Sequence, residues 1–152
     1  MYAEERVFVF LRSIVKKMHG IADKKLYPLG MSHAEMRLMM MIYQTDPDAC
    51  SQEDLAAHLV VDRSNVGRAL KKLETLGLVE RAKDERDGRV YRVLLTEKGR
   101  TIRERLFKIK SGIEKTCMMG TSEKERKALA ELLERMDQSL CDENYRIMKD
   151  SE

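Results

Sequence analysis

Residues 51–81 read SQEDLAAHLVVDRSNVGRALKKLETLGLVER, and the placing of side chains in that stretch decides the fold. Ser51 with Asp54 marks a helix start, and Asp62 caps a second one. The spacing predicts short helices over about Gln52–Leu59 and Asp62–Leu76, joined by a very tight connection, with Gly77 ending the second as a left-handed stop. Val66, Leu70 and Leu73, with Ala69 beside them, share one face of the second helix and can pack on Leu55, Ala56 and Leu59 of the first. The opposite face presents Arg63, Ser64, Gly67, Arg68 and Lys71, and bears no acid; Asn65 and Lys72 flank it. This is a helix-turn-helix.

Beyond Gly77 the sequence changes period. Leu78-Val79 and the run Val90 to Leu95 favour strands, and the seven polar residues between them, Lys83 to Arg89, include one glycine. A β-hairpin with a charged tip is expected. Upstream, Val7, Leu11, Ile14, Met18 and Ile21 recur at spacings of 4, 3, 4 and 3, which draws an apolar stripe on a helix over residues 4–26. Phe8, Phe10 and Val15 widen that stripe beyond the needs of a surface helix. Tyr27-Pro28-Leu29-Gly30 breaks it, and Ser32 with Glu35 forms a capping box for a Met-rich helix reaching about Thr45, where Asp46-Pro47-Asp48 ends it. Downstream, one long helix is expected from about Thr96 to Met118, carrying Ile102, Leu106, Ile109 and Ile113, then a turn at Gly120 and a last helix from about Glu123. The fold class is mainly α with a small β-hairpin wing: a winged helix-turn-helix (about 32–99) between N-terminal (about 4–28) and C-terminal (about 100–148) dimerisation helices, in one domain of 152 residues.

Composition agrees with a chain that stays in the cytoplasm. No apolar run reaches the length of a membrane span, and Glu4, Glu5 and Arg6 precede the first apolar cluster, unlike a signal peptide. The net charge of +3 is unevenly shared: residues 62–105 hold 13 Lys/Arg against 8 Asp/Glu, leaving 16 against 18 elsewhere. The middle third is therefore the one that faces a polyanion.

The helix over 62–76 has the composition a major groove requires. Small residues let the backbone approach base edges, Arg grips guanine in bidentate fashion, and Lys meets phosphates. A plain amphipathic helix with a solvated basic face has the same look. The hairpin separates the two readings, because Arg86 and Arg89 at its tip can reach the neighbouring minor groove. An enzyme lacks parts here: there is no Cys/His or Ser/His dyad with an elbow, no glycine-rich phosphate loop and no metal set. A winged-helix module for protein-protein contact without DNA binding is the alternative, and it predicts a neutral or acidic face where Arg63, Arg68 and Lys71 stand. The stripes on the first and last helices exceed what one small winged domain can cover, which predicts a homodimer.

The segment from Ser51 to Arg81, with Leu76-Gly77-Leu78-Val79-Glu80-Arg81, the triplet Asp87-Gly88-Arg89 and Leu95-Thr96-Glu97-Lys98-Gly99, resembles the MarR family of bacterial and archaeal regulators over nearly the whole chain. The resemblance implies a dimer with entwined terminal helices, binding palindromic operators on double-stranded DNA, usually as a repressor relieved by a small aromatic or phenolic ligand. It also implies that Asp87 steadies the wing by pairing with a cation while Arg89 enters the minor groove. In an extended tip the two side chains would share a side.

The signal is less legible. Cys50, Cys117 and Cys141 are scattered and none lies in the first helix, where some relatives sense oxidants. His19, His33 and His58 fall in three elements without ligand spacing, so neither a metal nor a cofactor is expected. The family's ligand pocket, between dimer helices and winged domain, nominates Met18, His19, Met36, Met39, Met40 and Tyr43. Thioethers suit an adaptable cleft, and equally suit a core.

Overall fold

The computed structural model describes residues 2–45, 50–59 and 63–150. In chain order it contains α1 (Ala3–Leu26), a 3-10 turn (Tyr27–Leu29), α2 (His33–Gln44), α3 (Gln52–Leu59), α4 (Arg63–Thr75), β1 (Val79–Lys83), β2 (Tyr91–Leu95), α5 (Glu97–Thr101), α6 (Arg103–Cys117) and α7 (Glu123–Asp150). Asp46, Pro47 and Asp48, read as ending α2, and Asp62, read as the cap of α4, lie outside the described residues, as do the side chains of His58, Leu59, Arg63 and Ser64. The chain divides into two compact units, residues 1–114 and 115–152.

The first unit holds the hydrophobic core. Leu38 and Met39 of α2, Leu55 of α3, Leu70 and Leu73 of α4, Leu78 and Val79 before and in β1, Val93 of β2 and Leu106 of α6 are all essentially sealed from solvent. Met36 and Met40 belong to the same core. The capping box at α2 forms as its sequence predicts: the Ser32 backbone N–H and hydroxyl each donate to Glu35 Oε2 at 2.6 Å. Ser51 and Asp54 do the same for α3, the Asp54 N–H donating to Ser51 Oγ at 3.0 Å and the Ser51 hydroxyl to Asp54 Oδ2 at 2.6 Å.

β1 and β2 pair antiparallel, from Val79 opposite Leu95 to Lys83 opposite Tyr91. Cys50 and Ser51 add a short third edge that the sequence pattern does not announce: the Val93 N–H donates to the Cys50 carbonyl at 2.9 Å, and Ser51 bridges Arg92.

The base of this hairpin is clasped. Thr96 Oγ1 donates to the Gly77 carbonyl and Lys98 Nζ to the Leu76 carbonyl, each at 2.6 Å, so the start of α5 covers the orphan carbonyls at the end of α4. Gly77 takes φ 69°, where only glycine sits without strain. Gly99 is fixed by a harder constraint. A Cβ there would lie 2.0 Å from the Leu78 carbonyl oxygen.

The single helix expected from Thr96 to Met118 is interrupted. Ile102 has ψ −11°, and its N–H reaches back to both Lys98 and Arg100, so the α repeat tightens for one residue before α6 begins. The interruption follows Gly99, whose backbone is pressed against the hairpin base.

The second unit contains the end of α6, a turn with Gly120 at φ 83°, and α7. Ser122 caps α7, its backbone N–H and hydroxyl each donating to Glu125 Oε2 at 2.7 Å. Leu129, Leu132, Leu133 and Leu140 of α7 are exposed.

Candidate nucleic-acid interface

α4 is held from one side only. Val66, Leu70 and Leu73 are buried in the core with Leu55 and Ala56 of α3. On its other side Asn65, Arg68, Lys71 and Lys72 are exposed and Gly67 is half-buried. A side chain at Gly67 would make only ordinary contact, at 3.7 Å, with Gln52. The chain itself thus leaves room there. Arg68 is hydrogen-bonded to Asn65 one turn before it. The orientation of α4 is braced by Arg81 of β1, whose guanidinium pairs with Glu74 at 2.6 Å and donates to Gln52 at 3.4 Å. Arg81 thus ties α4, β1 and α3 together, and Glu74, with its hydrogen bond and its charge, holds the guanidinium above its ordinary range.

The wing is organised by an acid that the sequence reading left unassigned. Asp84 is buried; its Oδ1 accepts the backbone N–H groups of Arg86 (2.7 Å) and Asp87 (3.1 Å), and its Oδ2 accepts Arg92 Nε. The Arg86 amide first, then Arg92 and the Asp87 amide, hold its carboxyl below the usual carboxylate range. Asp87 has a smaller part: its carboxylate accepts the Arg89 backbone N–H at 3.0 Å. The tip is not extended, because the Val90 N–H closes a turn onto the Asp87 carbonyl at 2.9 Å. Alternation of side chains therefore does not apply between Asp87 and Arg89. Both, with Arg86, are exposed at the tip.

Between the start of α2 and the outward residues of α4 lies a cavity of about 840 Å³, lined by Tyr27, His33 and Arg37 on one side and Asn65, Arg68 and Lys72 of α4 on the other. None of the six residues nominated for a ligand is among those lining it. Met36, Met39 and Met40 fill the core, Met18 packs against it, and His19 lines a separate groove along α1. Tyr43 donates its hydroxyl to the Gly99 carbonyl at 2.6 Å, with the Arg103 guanidinium 5.5 Å from its ring centre. Burial, opposed by Arg103, pushes its phenol up to about 12, so it stays a donor.

The structure also brings together two histidines that the sequence leaves apart. The His19 and His33 rings stack, and Asp23 accepts from both the His33 ring Nδ1 (2.9 Å) and the His33 backbone N–H (2.7 Å). The signal was a carboxylate one helical turn after His19, useful only once the length of the Tyr27–Leu29 turn is known. Among the described residues no group of three or more His, Cys, Asp or Glu is placed to hold a metal ion.

A model of the MarR family matches residues 29–90, from the turn before α2 through the wing. The HTH-type transcriptional regulator YdgJ of Bacillus subtilis is 31% identical over 134 residues, covering 88% of this chain and 79% of the relative. Among solved structures, a MarR transcriptional regulator from Methanosarcina mazei superposes with TM-score 0.82 at 28% identity, covering 91% of this chain and 98% of the other. The S. aureus MepR chain of a MepR–DNA complex gives TM-score 0.82 at 26% identity, covering 91% and 99%.

Proposed function

This chain belongs to the MarR family, as a DNA-binding transcriptional regulator of winged helix-turn-helix type and not an enzyme, and from that premise we propose that it works as a cytoplasmic homodimeric repressor on an inverted-repeat operator and is released by a small anionic aromatic or phenolic effector. The observation that carries the DNA side is α4: a helix locked by its apolar face into the core, with Asn65, Arg68, Lys71 and Lys72 outward and no side chain at Gly67. In this reading Arg63, Ser64, Asn65, Gly67, Arg68 and Lys71 meet the major groove. Lys72 meets phosphate, and the wing brings Arg86 and Arg89 to the minor groove with Asp84 and Asp87 setting its shape. The MepR relative, solved with DNA, supports it. No helix among the described residues is long and apolar enough to cross a membrane.

The effector reading rests on the cavity between α2 and α4. Arg37, Arg68 and Lys72 outnumber its one lining acid, Glu35, whose carboxylate is engaged with Ser32, so a carboxylate or phenolate suits it. Arg68 cannot serve such an anion and a base edge at once. Occupancy therefore competes with operator binding by side chain, without a large rearrangement.

Selection of bound fragments from random DNA tests the geometry. The expected site is an inverted repeat with half-site centres about 10 bp apart, one helical turn; a single asymmetric half-site refutes the dimeric arrangement. On that site Arg68→Ala is expected to cost about 1–3 kcal/mol and relax one base position, while Lys72→Ala weakens all duplexes alike and lowers the salt slope by about one. Identical behaviour of the two variants on specific and random DNA refutes the assignment of faces.

A further inference from the structure

His19 on α1 and His33, the first residue of α2, lie face to face with ring centres 3.9 Å apart and planes 11° from parallel. Asp23, one helical turn after His19, holds His33 by ring and backbone together. This cluster is a side-chain link between α1 and the first turn of α2, bridging the short turn that joins them. His33 also lines the cavity whose far wall is Asn65, Arg68 and Lys72 of α4.

The surrounding charge is lopsided. From α1 the stack is met by Asp23, and Lys16 shares the groove of His19 and Asp23. From α2 it is met by Arg37, while Glu35 is engaged in capping Ser32. Across the cavity α4 contributes Arg68 and Lys72. Asp23 therefore serves both imidazoles, with Arg37 opposing it and the Glu35 carboxylate turned to Ser32.

We propose that the His19–His33 stack is a proton-operated latch. A proton on His19 meets the stacked His33 ring and the Arg37 charge while Asp23 is already engaged by the His33 ring and amide, so the rings part and the first turn of α2 is released from α1. Desolvation, then the positive character of His33 and Arg37, already holds His19 below its ordinary value, with Asp23 opposing. The folded chain thus disfavours a proton on His19, and its stability falls as the pH drops below the ordinary histidine value of 6.5. The consequence for α4 rests on the DNA-binding reading: release of α2 reshapes the cavity wall opposite Arg68 and weakens DNA binding at mildly acid pH.

The test is amide hydrogen exchange on the full chain at about pH 7.5 and 5.5, corrected for intrinsic rates, following the amides of residues 33–36. Protection of the His33 amide is expected to fall at least about tenfold at the lower pH in the parent and to stay level in His19→Phe, which keeps a ring but takes no proton. An equal fall in His19→Phe, or none in the parent, overturns the latch. If His19→Phe fails to fold, NMR titration of the two rings in the parent decides. Mutual dependence of their titrations supports the latch, and independent titrations overturn it. Retention on a random-sequence duplex is measured separately at both pH values. The parent is expected to lose several-fold more affinity on acidification than His19→Phe. A latch that opens with equal losses in both proteins overturns the coupling to α4 while leaving DNA binding itself intact.

Discussion

α2 and α1 are both rich in large apolar side chains, and they use them in opposite ways. α2 has 12 residues and buries Met36, Leu38, Met39, Met40 and Ile42. α1 has 24 residues and buries only Ala22 and Leu26, both at its C-terminal end. It leaves Val7, Phe8, Val9, Phe10, Ile14, Val15 and Ile21 each at least 41% exposed, and α7 shows a similar stripe through Leu129, Leu132, Leu133 and Leu140. Exposed apolar stripes of that size are unusual on a monomer, and the dimer proposal takes the one on α1 to face another surface. The difference separates two tasks that composition alone merges. The apolar residues of α2 fill the core of the winged unit; those of α1 stay exposed, and the dimer proposal gives them a second copy to pack on.

The comparison breaks most visibly where the core has no slack. Gly99→Ala sets a Cβ against the Leu78 carbonyl oxygen at 2.0 Å, and neither backbone can yield without opening the clasp between α4 and α5. A loss of more than about 4 kcal/mol is expected, the range reserved for such collisions. Chemical denaturation measures it, and a loss under about 1 kcal/mol would mean that the junction is pliable.

The opposite arm is α1. Phe10→Glu places a charge on the exposed stripe, where Phe10 is 54% exposed, so the winged unit is expected to stay folded. Self-association should weaken at least about a hundredfold, equivalent to about 2.7 kcal/mol. Sedimentation against concentration reads the association, and circular dichroism reads the fold. A variant that unfolds instead would place α1 inside the winged core after all.

The wing gives the smallest effect and sharpens the comparison with a third kind of surface, exposed by charge. Asp84→Ala removes the acceptor that gathers Arg86, Asp87 and Arg92, and DNA affinity, read by duplex titration, is expected to fall about tenfold, or about 1.4 kcal/mol. Asp87→Ala, which loses only the Arg89 amide contact, is expected to change affinity less. Equal effects would return the organising role to Asp87. Because the Asp84 carboxyl is depressed, its hold on the tip is complete above its ordinary value of 3.8 and is lost as the pH falls below it.

What could be read from the sequence was local. The helix-turn-helix, the capping box at Ser32 and Glu35 and the hairpin all rest on spacings within a few residues, and all are present. The missed features depend on how separated segments meet. Asp84 and Asp87 are both acids in a polar tip, and only the turn closing at Val90 decides which is buried. The Met side chains of α2 carry the same period whether they line a cleft or fill a core. Cys50 and Ser51 are too short a piece to show a strand pattern, and the apolar spacing through Ile102 continues undisturbed across the break between α5 and α6. His19 and His33 become neighbours only through the Tyr27–Leu29 turn.

The clasp at the hairpin base has a consequence for engineering. Thr96 and Lys98 fasten onto the carbonyls of Gly77 and Leu76, so the two ends of the intervening segment are held outside its exposed tip. Loop closure depends only weakly on length once its ends are held. The exposed tip between Lys83 and Tyr91 can therefore be lengthened or shortened, with α4 and α5 keeping their places, whereas the strands cannot be exchanged freely because they carry Val79 and Val93 of the core and the brace Arg81.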